Sequence, residues 1–141
     1  MEELIGRMRS GDVDAALDSL REVRSLGWLK DGKFREARLA DAALPGADLE
    51  SAVLEGADLA RANLASASLF QARLRGADLS EACLDGANLM LADLREANLY
   101  GADCTGLDIR GADLRGAILK DSNLDSDSLA AAVTDRRTIM P

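Results

Sequence analysis

The sequence has no histidine, two cysteines and only 3% aromatic residues in a chain of 141 residues. The lack of histidine removes the commonest general base and the commonest metal ligand. Two cysteines without a CxxC motif do not form a disulfide framework. We therefore expect a single domain with an aliphatic core, no metal or cofactor, and no enzymatic activity.

The sequence also lacks a basic net charge and a long apolar run. It carries 17 Lys and Arg against 25 Asp and Glu, a net charge of -8, which argues against an electrostatic grip on nucleic acid. No apolar run approaches the roughly 20 residues that span a bilayer. The first residues, MEELIGRMRSGDVD, lack the apolar segment of a secretory signal. We expect a soluble, cytoplasmic protein that binds neither nucleic acid directly nor a membrane.

The dominant feature is a period of five residues. An apolar residue occupies every fifth position, a small residue lies two positions before nearly all of them, and Asp or Asn most often stands between the two. The 19 members of this ladder are Phe34, Leu39, Leu44, Leu49, Leu54, Leu59, Leu64, Leu69, Leu74, Leu79, Leu84, Leu89, Leu94, Leu99, Cys104, Ile109, Leu114, Leu119 and Leu124.

A period of five fits neither the 3.6-residue period of a helix nor the two-residue period of a strand. It predicts a backbone that turns every five residues and always points the large apolar side chain inward. Four turns would complete one square coil of twenty residues. Successive coils would then stack at about 4.8 Å, the usual distance between strands.

Units such as GADLE, RANLA and GANLM fit the motif A(D/N)LXX, and through them residues 30–126 resemble the pentapeptide-repeat family. The resemblance implies an all-β solenoid, a right-handed quadrilateral β-helix of about 19 units in four to five coils. It implies that the central residue and the small residue before it point inward, and that the other three positions face outward. Around Cys104, Leu107 and Ile109 the pattern bends, which we interpret as local volume exchange in the core.

We expect the open ends of the stack to be covered, because an unpaired strand edge invites aggregation. Residues 1–29 predict a helical cap: a short helix with Leu4, Ile5 and Met8, then a longer helix that begins at Asp12 or Ser10 and ends at Gly27. Its apolar face would contain Val13, Ala16, Leu17, Leu20, Val23 and Leu26. A helical docking module is the alternative interpretation of this segment.

Residues 127–141 predict one or two helical turns through Leu129 and Val133, followed by an irregular tail. This segment would cover the last coil or pair with that of another subunit. The resemblance makes a homodimer through this end plausible, since family members that protect DNA gyrase dimerise through their C-terminal ends.

Residues twenty apart should lie one above another on the outer surface. One such column contains Phe70 and Met90, with Leu91 beside Met90, in slots that are polar elsewhere. Exposed apolar clusters mark interaction surfaces, so this is a candidate partner-binding site. Tyr100, in another column, is weaker evidence. The alternative is scattered exposed apolar residues, which are normal on protein surfaces.

A second candidate site is a column of mostly positive charge that could hold an acidic partner. It contains Arg35, Glu55, Arg75, Arg95 and Arg115, and is flanked by Lys33 and Arg73. The alternative is a solvated face with ion pairs to Glu36, Glu96 and Asp93, which would contribute little to stability.

Two kinds of residue that suggest chemistry have simpler predicted roles. The Asp and Asn residues before each central leucine should bond to the backbone at the corners rather than bind calcium. Cys104, in an inward slot, should be buried and inert, whereas Cys83, in an outward slot, should be accessible. The two should not form a disulfide.

The leading functional hypothesis is a non-enzymatic rigid scaffold. It would bind an unknown protein partner, or a second copy through the C-terminal end or the Phe70/Met90 face. An alternative, implied by the resemblance, is a DNA mimic that acts on a type II topoisomerase, with gyrase protection and quinolone resistance. The third class, an enzyme, is disfavoured because neither histidine nor a concave pocket is expected.

Overall fold

The computed structural model describes residues 1–141, most of which wind into a coil with four sides. Parallel bridges join residues that are 20 positions apart, from Arg38–Asp58 up to Asn98–Ile118. Each bridge is one residue long, because the chain turns again after five residues. The repeat of the sequence is therefore the repeat of the backbone direction, and the architecture is a quadrilateral β-helix.

Backbone hydrogen bonds along the rod hold each coil on the next. On one side, the Asp58 amide donates to the Ala37 carbonyl of the coil below (2.9 Å), and the Leu59 amide donates to the Asp78 carbonyl of the coil above (2.7 Å). The same pair of bonds recurs on the other sides. The backbone groups that a helix satisfies locally are satisfied here by the neighbouring coil.

The corners are turns with one residue in the left-handed region. The Ala82 amide donates back to the Leu79 carbonyl (3.1 Å), and Glu81, the third residue of this turn, has φ 56°. Positive φ at the third position is the signature of a type II turn. All 18 corners from residue 36 to residue 121 have it, but glycine supplies only eight of them. Glycine therefore eases some corners, as expected, while other residues adopt the same angle at the remaining ten.

The inward rows form a single aliphatic core. From Leu54 to Leu99 every ladder residue is fully buried, and even Leu124 at the end of the ladder is only 7% exposed. The small residues two positions earlier belong to the same apolar cluster. Where the ladder narrows to Cys104, the next small slot holds Leu107, and both are buried, which is consistent with the predicted volume exchange.

Two helices precede the coil: α1, Glu2–Met8, and α2, Val13–Ser25. The Asp12 side chain caps α2 by accepting a hydrogen bond from the Ala15 amide (3.1 Å), and Gly27 beyond its end has φ 73°. The predicted apolar face is wrong at two residues, since Val13 is 38% exposed and Leu26 is 51% exposed. Val13 is the first residue of α2 and Leu26 follows its last, so only the central turns pack inward.

The N-terminal segment bonds directly to the first coil. The Ala43 amide donates to the Met8 carbonyl (2.9 Å), and the Val53 amide donates to the Leu29 carbonyl (2.7 Å). The Arg24 guanidinium donates to the Asp48 carbonyl (3.1 Å). Backbone groups that would otherwise end the stack unpaired therefore have partners.

The C-terminal segment differs from the prediction. The helix α3 spans only Ser126–Ala130. Val133, expected in that helix, instead bridges Asp113, and Ile139, expected in an irregular tail, bridges Ile118. The second offset is 21 residues rather than 20, and Thr134 and Met140 follow the bridging residues where leucine would stand. A search for leucine at steps of five therefore does not find these two sides of the coil.

The inward and outward assignment predicts the effect of two substitutions. Leu79→Ala should destabilise the protein by about 2–5 kcal/mol, because Leu79 is fully buried and alanine leaves a cavity. Asp85→Ala, at an exposed outward position, should change the free energy of unfolding by about 0.5 kcal/mol or less. Urea unfolding followed by circular dichroism measures both, and equal effects would contradict the assignment.

Candidate interaction surface

An apolar corner, defined here as Phe70, Met90 and Leu91, lies on two consecutive coils. The Gln71 amide donates to the Met90 carbonyl (3.0 Å), which places Phe70 and Met90 one above the other. Phe70 and Met90 are half-buried, and Leu91 is 51% exposed. The structure therefore brings together the three side chains that the sequence singled out.

Leu91 is unusual among the corner residues. Its φ is 58°, and it is the one apolar side chain among the ten non-glycine residues with positive φ. The left-handed conformation costs an L-residue about 1–2 kcal/mol. A Cβ atom on Gly111, one coil above, would lie 2.7 Å from Leu91 Cδ2, so glycine at that position leaves room for the leucine. All 18 corners share this backbone conformation, so the exposed apolar side chain, rather than the positive φ, distinguishes Leu91 as a candidate contact residue.

The column through Phe70 and Met90 has opposite charges at its two ends. Glu50 lies one coil below Phe70, is exposed and makes no ion pair. Arg110 lies one coil above Met90, and its Nη2 atom is 3.4 Å from Met90 Sδ. Its Nε and Nη2 atoms also donate to Asp108 (2.9 and 2.6 Å). The column therefore consists of an acid, two apolar residues and a base.

Tyr100 does not join the apolar corner. It is 42% exposed and belongs to the column of Ser80 and Lys120, as shown by the Glu81 and Gly101 amides, which donate to the Tyr100 and Lys120 carbonyls. The carboxylate of Asp121 raises the pKa of the Tyr100 phenol. Tyr100 therefore lies alone among polar groups.

The arginine column is largely neutralised by carboxylates. Glu55 contacts both Arg35 and Arg73, and Glu96 contacts Arg75 at 3.1 Å. Two further pairs are local: Arg95–Asp93 at 2.6 Å and Arg115–Asp113 at 2.5 Å. Of the expected partners, Glu96 and Asp93 form ion pairs and Glu36 forms none, while Arg35 pairs with Glu55, the next member of the column. Lys33 pairs with Asp31 and lies over the Trp28 ring.

These pairs shift the ionisation of the aspartates. A hydrogen bond from Arg115 holds the pKa of Asp113 below its usual range, and Arg95 does the same to the pKa of Asp93. Both carboxylates therefore stay ionised near neutral pH, and the ion-paired interpretation of this column fits the geometry.

The Asp and Asn side chains before the central leucines bond to the backbone, as predicted. The Ser80 amide donates to Asp78 Oδ1 (2.9 Å), and the Met90 amide donates to Asn88 Oδ1 (3.0 Å). Where Asp or Asn precedes the central leucine, its oxygen thus supports the corner that follows.

Two surface features were missed by the sequence reasoning. The first is a polar hollow of about 420 Å³ between α1 and the first coil, where Glu2, Lys33 and Arg38 lie. The second is an exposed apolar group at the C-terminal end, Val133, Ile139 and Met140, each 48–49% exposed. Both depend on how the terminal segments dock, which the period of five does not describe.

The repeats place the chain in a known family. The model of the family of pentapeptide repeats matches eight copies between residues 33 and 125. The chain therefore belongs to the pentapeptide-repeat family, whose solved members are right-handed quadrilateral β-helices. No curated protein sequence matches the chain.

Solved structures of the family resemble this one. A pentapeptide repeat protein from the cyanobacterium Cyanothece 51142 is 35% identical, with a TM-score of 0.58 over 67% of this chain and 64% of that chain. The alr5209 protein from Nostoc PCC 7120 is 29% identical, with a TM-score of 0.52 over 84% of this chain and 95% of that chain. HetL, from Nostoc sp. strain PCC 7120 and involved in heterocyst differentiation regulation, is 27% identical, with a TM-score of 0.42 over 74% of this chain and 62% of that chain.

The chain spans about 64% of the length of the Cyanothece protein and 62% of that of HetL. Its longest helix, the 13-residue α2, is too short to cross a bilayer, and neither of the other two helices is long enough. The family model and the two structures with TM-scores above 0.5 support the fold and the family. They name no partner for this chain.

The two cysteines should differ in reactivity. Cys104 is buried, and burial together with the nearby Asp103 raises the pKa of its thiol to about 12, while Cys83 is half-buried and free. Ellman's reagent should therefore modify one thiol per native chain and two per unfolded chain, because the thiolate is the reactive form.

Cys83→Ser should abolish the native reaction, and the matched variant Cys104→Ser should retain it. Modification of Cys104 at a rate similar to that of Cys83 would show that the inward wall of the coil opens.

Stability should fall in acid through the Asp–Arg pairs. A carboxylate whose pKa is lowered in the folded state stabilises the fold above its unfolded pKa, about 3.9 for Asp. That contribution is lost as the pH falls from about 4 through the folded pKa. Asp113→Asn keeps the bond from the Arg115 amide but removes the charge. The substitution should lower the free energy of unfolding by at most about 1 kcal/mol at neutral pH.

Below about pH 4 the difference between Asp113→Asn and the wild type should shrink, as measured by urea unfolding across pH. Asp85→Asn, at an exposed position without an ion pair, is the control. An undiminished difference at about pH 2 would show that the charge of Asp113 is not the cause.

Proposed function

We propose that the protein is a non-enzymatic rigid scaffold that binds a protein partner through the apolar corner. The observation that carries this proposal is Leu91, an exposed leucine in a left-handed backbone conformation beside Phe70 and Met90. Aromatic residues and methionine are enriched in the cores of interfaces. A solvated face would instead place a polar residue or glycine at this corner, as all the other corners do.

The architecture supports such a role because the backbone that carries the outward side chains is already held in place. Each side of a coil is bonded to the coils above and below, so the spacing between columns is set before any partner arrives. Little conformational entropy is then lost on binding, which favours affinity.

The two ends complete the proposal for the whole chain. We propose that α1 and α2 cap a stack of between four and five coils, with the bonds from Ala43 and Val53 as support. Val133, Ile139 and Met140 are exposed at the C-terminal end, and pairing of copies through that end stays a prediction from the sequence. A cytoplasmic location stays a prediction from the sequence.

The DNA-mimic hypothesis has less support. The net charge of -8 is compatible with it, but arginines are interspersed with the carboxylates and pair with them along one column. No continuous acidic face of the kind that duplex DNA presents is formed there. Action on gyrase therefore stays an untested alternative.

The test is partner capture with the double variant Phe70→Ser/Met90→Ser. Both residues are outward, so the variant should fold with an unchanged circular dichroism spectrum and lose at least about tenfold in affinity for its partner. Lys120→Ser, at an exposed position in the Tyr100 column, is the matched control and should bind normally. Partners that the double variant retains unchanged would remove the apolar corner from consideration.

A further inference from the structure

We propose that the partner of the apolar corner is a second copy of this chain, paired antiparallel across a two-fold axis. This inference rests on the proposed function and names the occupant of its surface. The observation behind it is the order of the column, which runs Glu50, Phe70, Met90, Arg110 on four successive coils.

The column is complementary to its own reverse. A two-fold axis perpendicular to the rods, passing between the levels of Phe70 and Met90, places each Phe70 opposite the Met90 of the other copy. The same operation places each Glu50 opposite the other copy's Arg110. In such an isologous interface every contact occurs twice, so the dimer contains two Glu50–Arg110 pairs and two Phe70–Met90 contacts.

The parallel arrangement is disfavoured by charge. A two-fold axis along the rods would set Glu50 against Glu50 and Arg110 against Arg110, and like charges in contact oppose association. The antiparallel arrangement also brings Leu91 opposite Gln71, beside the partner's apolar side chains. The interface therefore joins an apolar centre to a charged rim, which is the usual anatomy of a protein interface.

The charged groups at the rim are available for these contacts. Glu50 is exposed and accepts no hydrogen bond at its carboxylate. Arg110 is already ion-paired with Asp108 through Nε and Nη2, and its Nη1 atom is the donor left for Glu50. Asp48 and Asp108 would also face each other, but Arg24 and Arg110 already pair with them, both at 2.6 Å. Their repulsion is thereby reduced.

The patch is small, with three apolar residues per copy, so the dimer is of the weak class that buries less than about 1,200 Å². A dissociation constant in the micromolar range is expected for such an interface. Sedimentation equilibrium between about 1 µM and 1 mM measures it for the full chain.

Reversal of single charges tests the pairing directly. Glu50→Arg alone sets two positive charges against each other at each end of the interface, and Arg110→Glu alone sets two negative charges there. Each single variant should therefore dimerise at least about tenfold more weakly than the wild type. An equimolar mixture of the two variants can form a heterodimer with one opposite-charge pair at each end, the native pair at one end and the reversed pair at the other. This heterodimer should be tighter than either homodimer. The combined variant Glu50→Arg/Arg110→Glu restores both pairs in reverse and should dimerise with near wild-type affinity.

Two controls separate pairing from changes in net charge or folding. Glu81→Arg and Lys120→Glu make the same charge changes at exposed positions in or beside the Tyr100 column and should leave dimerisation unchanged. Circular dichroism of each variant confirms the fold, and dimerisation of the combined variant shows that both substitutions are compatible with binding.

The outcomes distinguish this inference from the proposed function. A chain that stays monomeric at about 1 mM, or a combined variant that binds no more tightly than the single variants, would overturn the antiparallel dimer. A dimer that still forms with Phe70→Ser/Met90→Ser would also overturn the antiparallel dimer, because it would use another surface. If the antiparallel dimer is overturned but Phe70→Ser/Met90→Ser abolishes capture of another protein, the proposed function stands without the dimer.

Discussion

The stacking of one coil on the next is the interaction on which the rest of the structure depends. Its hydrogen bonds join residues that are 20 apart, and they form only if the chain returns to the same point after four equal sides. The inward leucines enforce that return, because each fills the centre at one side and is fully buried along the middle of the rod. Outward side chains then stand in columns, so a surface feature extends by repeating every twentieth residue.

This constraint explains why the proposed interaction surface consists of exceptions to the pattern. Two of the five positions in each unit are committed to the core, and the corner residue is committed to a left-handed backbone. The remaining variation lies on the outer columns, where most residues are polar and many are ion-paired. Leu91 departs from the pattern at a corner, and Phe70 and Met90 depart from it beside that corner. Membership of the family defines the rod but not the partner, because a shared fold does not fix a shared function.

Much of the fold and part of the candidate site could be predicted, because both follow from spacing alone. The ladder and the stacking of Phe70 on Met90 need only the period of five and the position of each residue within it. The helices at the N-terminus follow from the helical spacing of their apolar residues. The spacing placed Arg35 and Glu55 in one column, but the structure was needed to show that Glu55 pairs with both Arg35 and Arg73. The exposure of Val13 and Leu26 also depended on the angle at which α2 docks.

The sequence by itself determined the length of each side, the identity of the inward residues and the columns of the surface, because a strict repeat leaves one backbone that buries every leucine. Only the tertiary structure decided how the rod ends. Val133 and Ile139 extend the coil with an offset of 21 residues at one side and without leucines, since at the last coil backbone pairing with the layer below outweighs the local pattern. It also decided that the Arg110 guanidinium contacts Met90 Sδ and that Gly111 makes room for Leu91. Such contacts form between neighbouring coils, and no single stretch of sequence contains both partners.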